Sequence, residues 1–171
     1  MLNKSIMRAS LLLIAALSGC DRASDGSRAS GDSSFAALQN RGGMAMGVDQ
    51  YTSSHEFDIT ADGGRVSLQR DSADSVGIAQ IRAHMRLIQH AFEASDFSTP
   101  AFVHDRAMPG TDVMAKKRNS ITYTYQDLPR GAAVVMSTRD SAARVAIADF
   151  MKAQRGDHHS GGSDHSLHKS N

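Results

Sequence analysis

This chain of 171 residues has one cysteine, three prolines, no tryptophan and no strong excess of charge of either sign. A single cysteine cannot form a disulfide within the chain or supply a cysteine-based zinc cluster. The formal net charge of +1 provides no basic field to attract nucleic acid. Six phenylalanines and three tyrosines also fit poorly to a stacking platform for sugars or single-stranded nucleic acid.

The sequence motifs of common enzymes are missing as well. There is no G-x-S-x-G, no H-E-x-x-H, no phosphate-binding P-loop and no dinucleotide fingerprint. A catalytic triad depends on spatial placement, which one sequence does not show, so an enzyme without such a motif stays an alternative. The longest apolar run, residues 11–17, is far shorter than the roughly 20 residues that a helix needs to cross a bilayer.

The first twenty residues indicate an export signal. Lys4 and Arg8 precede the apolar run, and Leu17-Ser18-Gly19-Cys20 closes it, which is the order of charged, apolar and small residues in a cleaved signal. The closing residues resemble the lipobox of bacterial lipoproteins. The resemblance implies that residues 1–19 are a lipoprotein signal peptide and that Cys20 is acylated and begins the mature chain. An ordinary signal peptide cut near Cys20 is the alternative, and it would leave the protein soluble.

The resemblance to lipoproteins implies a location. Several acyl chains on one cysteine, palmitate among them, anchor a protein stably to a membrane, so we expect a lipid-anchored protein of the bacterial cell envelope that faces the periplasm. Asp21 follows Cys20 and resembles the signal that keeps lipoproteins of enteric bacteria on the inner membrane. Lipidation would also use the only thiol, and cleavage of the signal removes Lys4 and Arg8, which takes the formal net charge from +1 to −1.

Composition divides the mature chain into three parts. Residues 20–43 are mainly Ser, Gly, Asp, Ala and Arg around one apolar patch at residues 35–38, which predicts an acylated cysteine followed by a disordered tether. Residues 156–171 contain almost no apolar side chain and predict a disordered, histidine-rich tail. The residues between them, 44–155, have the size of a single domain with one core.

The first half of this domain predicts a β-hairpin followed by a helix. Residues 55–60 and 65–69 alternate apolar and polar side chains around the turn Ala61-Asp62-Gly63-Gly64, which is typical of a hairpin. Asp71-Ser72-Ala73-Asp74 then resembles a helix cap. Apolar residues follow at steps of three and four, as on one face of a helix: Ile78, Ile81, Met85, Ile88 and Phe92.

The second half repeats this order. Residues 121–125 and 133–137 flank a turn-forming segment at residues 127–131, and a helix follows at about residues 141–154. We expect its apolar face to contain Val145, Ala148, Phe150 and Met151. The segment Arg70-Asp71-Ser72-Ala73 recurs as Arg139-Asp140-Ser141-Ala142, which reflects either a duplication or the preference of helix caps for Asp and Ser.

Two ββα units predict an α+β fold, in which a four-stranded, mostly antiparallel sheet carries both helices on one face. In the connector, residues 95–119, Pro100, Pro109 and Gly110 argue against one continuous helix, whereas residues 111–118 predict a short one. Ile121, Tyr123 and Tyr125 share one strand face. If the helices cover the opposite face, these residues form an open, partly apolar patch suited to a protein partner in the envelope.

Several segments of the body carry a second resemblance. They are Met46-Gly47-Val48-Asp49-Gln50, His55-Glu56-Phe57, Ile81-Arg82-Ala83-His84, Gly110, Ile121-Thr122-Tyr123-Thr124-Tyr125, Pro129-Arg130-Gly131 and Asp157-His158. With these segments the chain from about residue 41 to residue 158 resembles an uncharacterised family of short exported bacterial proteins. The resemblance implies export but no activity and no site residues.

The chain is rich in histidine, with eight in all. His55, His84 and His104 belong to the body, and no local spacing such as H-x-H joins them. If these three converge, a thioether from Met44 or Met46 would complete a site suited to copper or another transition metal. A separate group in the tail would bind such ions loosely: His158, His159, His165 and His168. Hydrogen-bonded structural histidines and a merely solubilising tail are the alternatives.

These observations favour a non-catalytic binding or accessory module of the cell envelope, whose ligand the sequence does not identify. The alternative is a transition-metal-binding envelope protein that uses the body histidines and the tail. A second alternative is an envelope enzyme of unrecognised family. We expect the membrane, through Cys20, and an envelope protein as partners, and no nucleic acid.

Overall fold

The structure, a computed structural model, describes residues 23–47 and 49–160. Its elements in chain order are α1 (Ala23–Met46), β1 (Ser53–Thr60), β2 (Gly63–Arg70), α2 (Ser75–Glu93), α3 (Ser98–His104), α4 (Thr111–Lys116), β3 (Ile121–Leu128), β4 (Gly131–Thr138) and α5 (Ser141–His158). Short 3₁₀ turns, Gln50–Thr52 and Arg118–Ser120, lead into β1 and β3. The signal peptide, Cys20, His165 and His168 lie outside the described residues, so what the sequence predicts for them stays a prediction.

The four strands form one antiparallel sheet in the order β1-β2-β4-β3. This order confirms the α+β fold built from two ββα units. Each hairpin turns through two residues and re-enters the sheet at a glycine. A Cβ on Gly63 would lie 2.1 Å from the carbonyl oxygen of Met136, and a Cβ on Gly131 would lie 2.0 Å from that of Leu68. Both second strands therefore need glycine where they begin, because a neighbouring backbone approaches closely there.

Helices α2 and α5 each pack mainly on the hairpin of the other ββα unit. Helix α2 lies chiefly against β3 and β4, whereas α5 lies chiefly against β1 and β2. Their buried faces and the inward strand residues form one core. Since neither helix mainly covers the hairpin that precedes it, neither unit buries its apolar face alone, and the two units share one core.

Helices α2 and α5 are equivalent when they are aligned at their caps. Asp74 accepts a hydrogen bond from the backbone N–H of Val76, and Asp140 accepts from Ala142 and Ala143. Counted from these caps, the buried residues match as Ile81 with Ile147 and Met85 with Met151. This alignment of the two helices differs from the one that the Arg-Asp-Ser-Ala repeat suggests. Four residues separate β2 from α2, whereas only two separate β4 from α5. Val145, predicted for the buried face, is 61% exposed.

The strand face that carries the tyrosines is turned toward the helices. Ile121 and Tyr123 lie in the core, and Tyr125 packs against it. The predicted open apolar patch at these residues is therefore wrong, since the period of two groups them on one face but does not say which face the helices cover. The strand register places one row of residues across the opposite face of the sheet: Glu56, Ser67, Ala133 and Gln126.

Helix α1 occupies most of the segment predicted to be a disordered tether. Its second half docks on α3, where the Arg41 Nε–H donates to the carbonyl oxygen of Val103 at 2.8 Å. The composition of this segment did not predict a helix because few of its side chains are apolar. The inward residues nevertheless have helical spacing: Phe35, Leu38, Gly42 and Met46. The domain therefore extends upstream of residue 44, and α5 extends it downstream into the predicted tail.

The connector between the two units contains two short helices. Pro100 falls in the first turn of α3, where a missing N–H leaves no helical hydrogen bond unmade. Helix α4 confirms the short helix expected after Pro109-Gly110. Among the described residues, no helix combines the length and the apolar character required to cross a membrane.

Candidate functional site

Four histidines from four different elements line one cavity. They are His55 from β1, His84 from α2, His104 from α3 and His158 from α5. The cavity has a volume of about 70 Å³ and lies where the start of β1 and the ends of α3 and α5 meet the middle of α2. Apolar side chains form most of the remaining wall, and no Asp or Glu is among the described lining residues. The site is therefore a cluster of imidazoles in an apolar setting.

The structure brings the three predicted body histidines to the same cavity. Met46, at the end of α1, also lines it. Met44 does not, because its side chain is 70% exposed. The fourth histidine, His158, belongs to the predicted tail but is fixed by α5, whereas its neighbour His159 is exposed and stacks on Phe35 with the ring centres 4.6 Å apart.

His158 is the centre of the cluster. Its ring centre lies 4.9 Å from that of His55 and 5.0 Å from that of His104. The His55 ring also stacks on Phe57, at a centre-to-centre distance of 5.6 Å. Three imidazoles are thus in contact along the cavity, and His84 of α2 lines the same cavity.

His104 is held at both ring nitrogens. Its Nδ1–H donates to the carboxylate of Asp157 at 2.7 Å, and its Nε2 lies 2.6 Å from the side-chain oxygen of Gln154. Asp157 also accepts a hydrogen bond from the Arg106 guanidinium. Only 1% of the His104 side chain is exposed. The ring is fixed in place, and neither nitrogen is available to a ligand unless Gln154 moves.

The surroundings favour uncharged imidazoles. Burial, together with the nearby His158, His84 and His104, lowers the pKa of His55 well below its ordinary value of 6.5. Burial alone lowers the pKa of His84 to about 4. Burial and the neighbouring His104 lower the pKa of His158 to about 4. At neutral pH these rings are therefore bases with available lone pairs rather than cations.

His104 and Asp157 respond to opposing influences. Burial lowers the pKa of His104, and it outweighs the hydrogen bonds to Asp157 and Gln154, which act in the opposite direction. For Asp157, burial opposes ionisation, but hydrogen bonds from Arg106 and His104 outweigh it and hold the pKa of the carboxyl below its ordinary value. A carboxylate that orients an imidazole in this way is typical of histidines whose ring position matters for binding.

An equivalent pair of residues involves the opposite edge strand of the sheet, and one of its members, Phe92, also lines the cavity. His55 and Tyr123 are both the third residue of an edge strand, and His158 and Phe92 are equivalent when the helices are aligned at their caps. Phe92 contacts Tyr123 with the ring centres 6.0 Å apart, as His158 contacts His55. Each pair joins a helix of one unit to an edge strand of the other, and one of the two contacts is aromatic whereas the other is formed by imidazoles.

Sequence reasoning missed Met85, Gln154 and Asp157 as parts of the site. Met85 and Gln154 line the cavity, and Asp157 fixes His104. Met85 was predicted only as a core residue of α2, which it also is. The available signal for Asp157 was its position next to His158 at the end of a helical pattern, and composition had assigned both to a disordered tail.

The arrangement provides little for catalysis. The hydrogen-bonded pair His104 and Asp157 resembles the base of a catalytic triad, but the other nitrogen of His104 faces Gln154 rather than a hydroxyl. Within residues 23–47 and 49–160, no group of three or more His, Cys, Asp or Glu side chains is placed so that it could hold a metal ion. The rings contact one another instead of pointing at one common centre.

No protein-family model, curated protein or solved structure matches this chain.

Proposed function

We propose that this protein is a non-catalytic binding module of the bacterial cell envelope, anchored by acyl chains on Cys20 and facing the periplasm, and that it binds its ligand in the four-histidine cavity. The observation that supports this most is the convergence of four neutral imidazoles on one apolar cavity. Buried polar rings reduce stability unless they are hydrogen-bonded or bind something. His104 is hydrogen-bonded at both nitrogens. The other three rings, His55, His84 and His158, are partly buried, and their convergence is better explained by a ligand than by the fold.

Anchoring is supported by the lipobox-like residues, and it has a direct test. Cells expressing the wild-type chain should incorporate labelled palmitate into the protein and retain it in the membrane fraction. A Cys20→Ala variant should incorporate none and should leave that fraction. Equal labelling and equal fractionation of the two chains would contradict the anchor, although they would not affect the cavity.

The cavity has a separate test, based on ligand-induced stabilisation. A ligand present at 100 times its dissociation constant stabilises the folded state by about 2.7 kcal/mol. Screening transition metals and small apolar compounds by thermal unfolding should find ligands that raise the midpoint for the wild type and not for His158→Phe, which replaces the central ring of the cluster. If every stabilising ligand acts equally on both chains, the cavity is not the binding site.

The envelope-protein partner and the enzyme of unrecognised family stay predictions. The surface expected for the partner is covered by the helices, which leaves the partner without a defined docking surface. For an enzyme, the hydrogen-bonded pair of His104 and Asp157 lacks a nucleophile, because the other ring nitrogen of His104 faces Gln154.

A further inference from the structure

We propose that the four-histidine cavity takes the apolar part of an uncharged amphiphilic ligand, whose polar part binds in an adjoining pocket of hydroxyl and amide side chains. The ligand class is a small neutral molecule that joins a short branched alkyl group to a hydrogen-bonding head such as an amide. This inference rests on the proposed function and specifies the ligand.

A second pocket shares two of the imidazoles with the cavity. His55 and His158 line both spaces. The second pocket, which we call the polar pocket, has a volume of about 260 Å³. Its other lining residues all carry hydroxyl or amide groups: Gln39, Gln50, Ser53, Ser54 and Ser160. An apolar space and a polar space therefore lie next to each other, with two imidazoles common to them.

The charge of the lining selects the charge of the ligand. Among the described residues, no Asp, Glu, Lys or Arg lines the four-histidine cavity or the polar pocket. The pKa values of His84 and His158 are about 4, so these rings are uncharged near neutral pH. Moving an ion out of water is strongly unfavourable where no opposite charge compensates. The two spaces together therefore favour an uncharged ligand.

Hydrogen-bonding groups are available where the two spaces meet. In the part of the chain that the structure describes, His55 and His158 contact other rings, and no hydrogen bond occupies their nitrogens. A neutral imidazole offers one N–H donor and one acceptor. The Ser160 hydroxyl, just after α5, is buried without a hydrogen-bond partner among the same residues. Because buried polar groups are normally paired, these groups indicate a polar ligand head.

The volumes of the two spaces restrict the ligand further. The four-histidine cavity has about 70 Å³, which is about half the volume of an engineered apolar cavity of about 150 Å³ that binds benzene. It therefore fits a short alkyl group better than an aromatic ring. With the larger polar pocket, the site reaches the lower end of the range for small-molecule sites, about 300–1,000 Å³.

The test is an NMR titration of the complete chain at pH 7 with four matched probes. N-acetylvaline amide has the isopropyl group and an uncharged head. N-acetylvaline and valine amide keep the isopropyl group but carry a negative and a positive charge. N-acetylglycine amide keeps the head and lacks the alkyl group. We expect N-acetylvaline amide to shift the imidazole resonances of His55, His84 and His158, and to bind at least about tenfold more tightly than each of the others.

Matched variants separate the polar pocket from the cavity. Ser160→Ala should weaken binding of N-acetylvaline amide by about three- to tenfold, as the loss of one hydrogen bond does. The same variant should bind xenon, a probe of apolar cavities, like the wild type. Ser72→Ala is the control, because Ser72 is exposed and lines neither space, and it should bind every probe like the wild type. His158→Phe, which removes the ring common to both spaces, should weaken both probes. Thermal unfolding without ligand identifies variants that have lost the fold.

The outcomes distinguish this inference from the proposal on which it rests. Equal binding of the four probes, or equal binding of N-acetylvaline amide by the Ser160 and Ser72 variants, overturns the amphiphilic ligand. If none of the four probes binds, but another compound stabilises the wild type and not His158→Phe, the cavity remains the binding site and the ligand class is wrong. If xenon and every compound act equally on the wild type and His158→Phe, both proposals fail.

Discussion

The two edge strands of the sheet contact the helices above them through equivalent pairs of positions that carry different side chains, and each pair takes one residue from either ββα unit. In one half of the core, Phe92 of α2 packs on Tyr123 of β3. In the other half, His158 of α5 packs on His55 of β1. Both pairs join a helix to the edge strand beneath it. Imidazoles therefore occupy positions equivalent to those of an aromatic pair within the same arrangement of helices and strands. They provide the cavity with polar groups that can bind a ligand.

The aromatic pair contributes to stability, whereas the imidazole pair has a cost. Phe92 is almost fully buried in the core, and full burial of such a side chain is worth about 1.5–3 kcal/mol. The histidines are partly removed from water, His104 almost completely, and this lowers their pKa values and makes the folded state sensitive to acid. The core around Ile81 and Ile147, which both units share, must offset that cost.

The largest expected effect concerns this shared core. Ile81 and Ile147 are equivalent and fully buried, so truncating either to Ala should lower the free energy of unfolding by about 2–5 kcal/mol. Because each helix packs on the hairpin of the other unit, both variants should unfold in one transition when denaturation is followed by circular dichroism and by tyrosine fluorescence. Two separate transitions, or loss of only one half of the structure, would show that the units fold independently.

The next largest effect is on the pH dependence of the free energy of unfolding, to which the imidazoles contribute and the aromatic pair does not. His84 and His158 have pKa values of about 4 in the folded protein, against an ordinary value of 6.5. Between these values the unfolded chain binds more protons, so the free energy of unfolding should fall as the pH decreases from 6.5 to 4. One pKa unit corresponds to about 1.4 kcal/mol, so the loss should reach several kcal/mol. Urea denaturation at a series of pH values measures it. If the wild-type profile is flat from pH 6.5 to 4, the four rings are not held in an apolar environment.

Much of this fold follows from the sequence, and the reasons are local. The apolar spacing from Ile81 to Phe92 determines a helical face, and alternation at residues 55–60 and 65–69 determines the hairpin. Helix α1 was not predicted because most of its residues are polar and only a few, at helical spacing, face inward. The site was only partly predictable. Which histidines meet depends on α5 crossing onto β1 and β2, and that is a tertiary feature without a local signal.

A smaller effect is expected when the two halves are made alike. His158→Phe gives α5 the residue that α2 has at the equivalent position. It removes a base whose charged form the fold disfavours, and should therefore raise the free energy of unfolding at pH 5 by about 1–2 kcal/mol and flatten the pH profile. Denaturation at pH 5 and pH 7.5 tests this. A variant that is less stable than the wild type at both pH values would mean that His158 supports the fold rather than a ligand.

The smallest effect concerns the helix caps. Asp140 accepts from two backbone N–H groups and pairs with the Lys117 ammonium at 2.8 Å, whereas Asp74 accepts from one N–H and pairs with Arg70 at 3.2 Å. Both substitutions by Ala should lower the free energy of unfolding by about 0.5–2 kcal/mol, with the larger loss at Asp140. The opposite order in urea denaturation would contradict the contacts described for these caps.

The most direct test of the binding cavity is the ionisation of its four imidazoles, followed by histidine side-chain NMR from pH 8 to pH 4. The structure predicts that His55, His84 and His158 stay neutral to well below pH 6.5, that the pKa of His104 also lies below its ordinary value, and that a cavity ligand shifts all four resonances together. Four rings that titrate near 6.5 like solvent-exposed histidines, or that shift separately with any ligand, would contradict a shared apolar site.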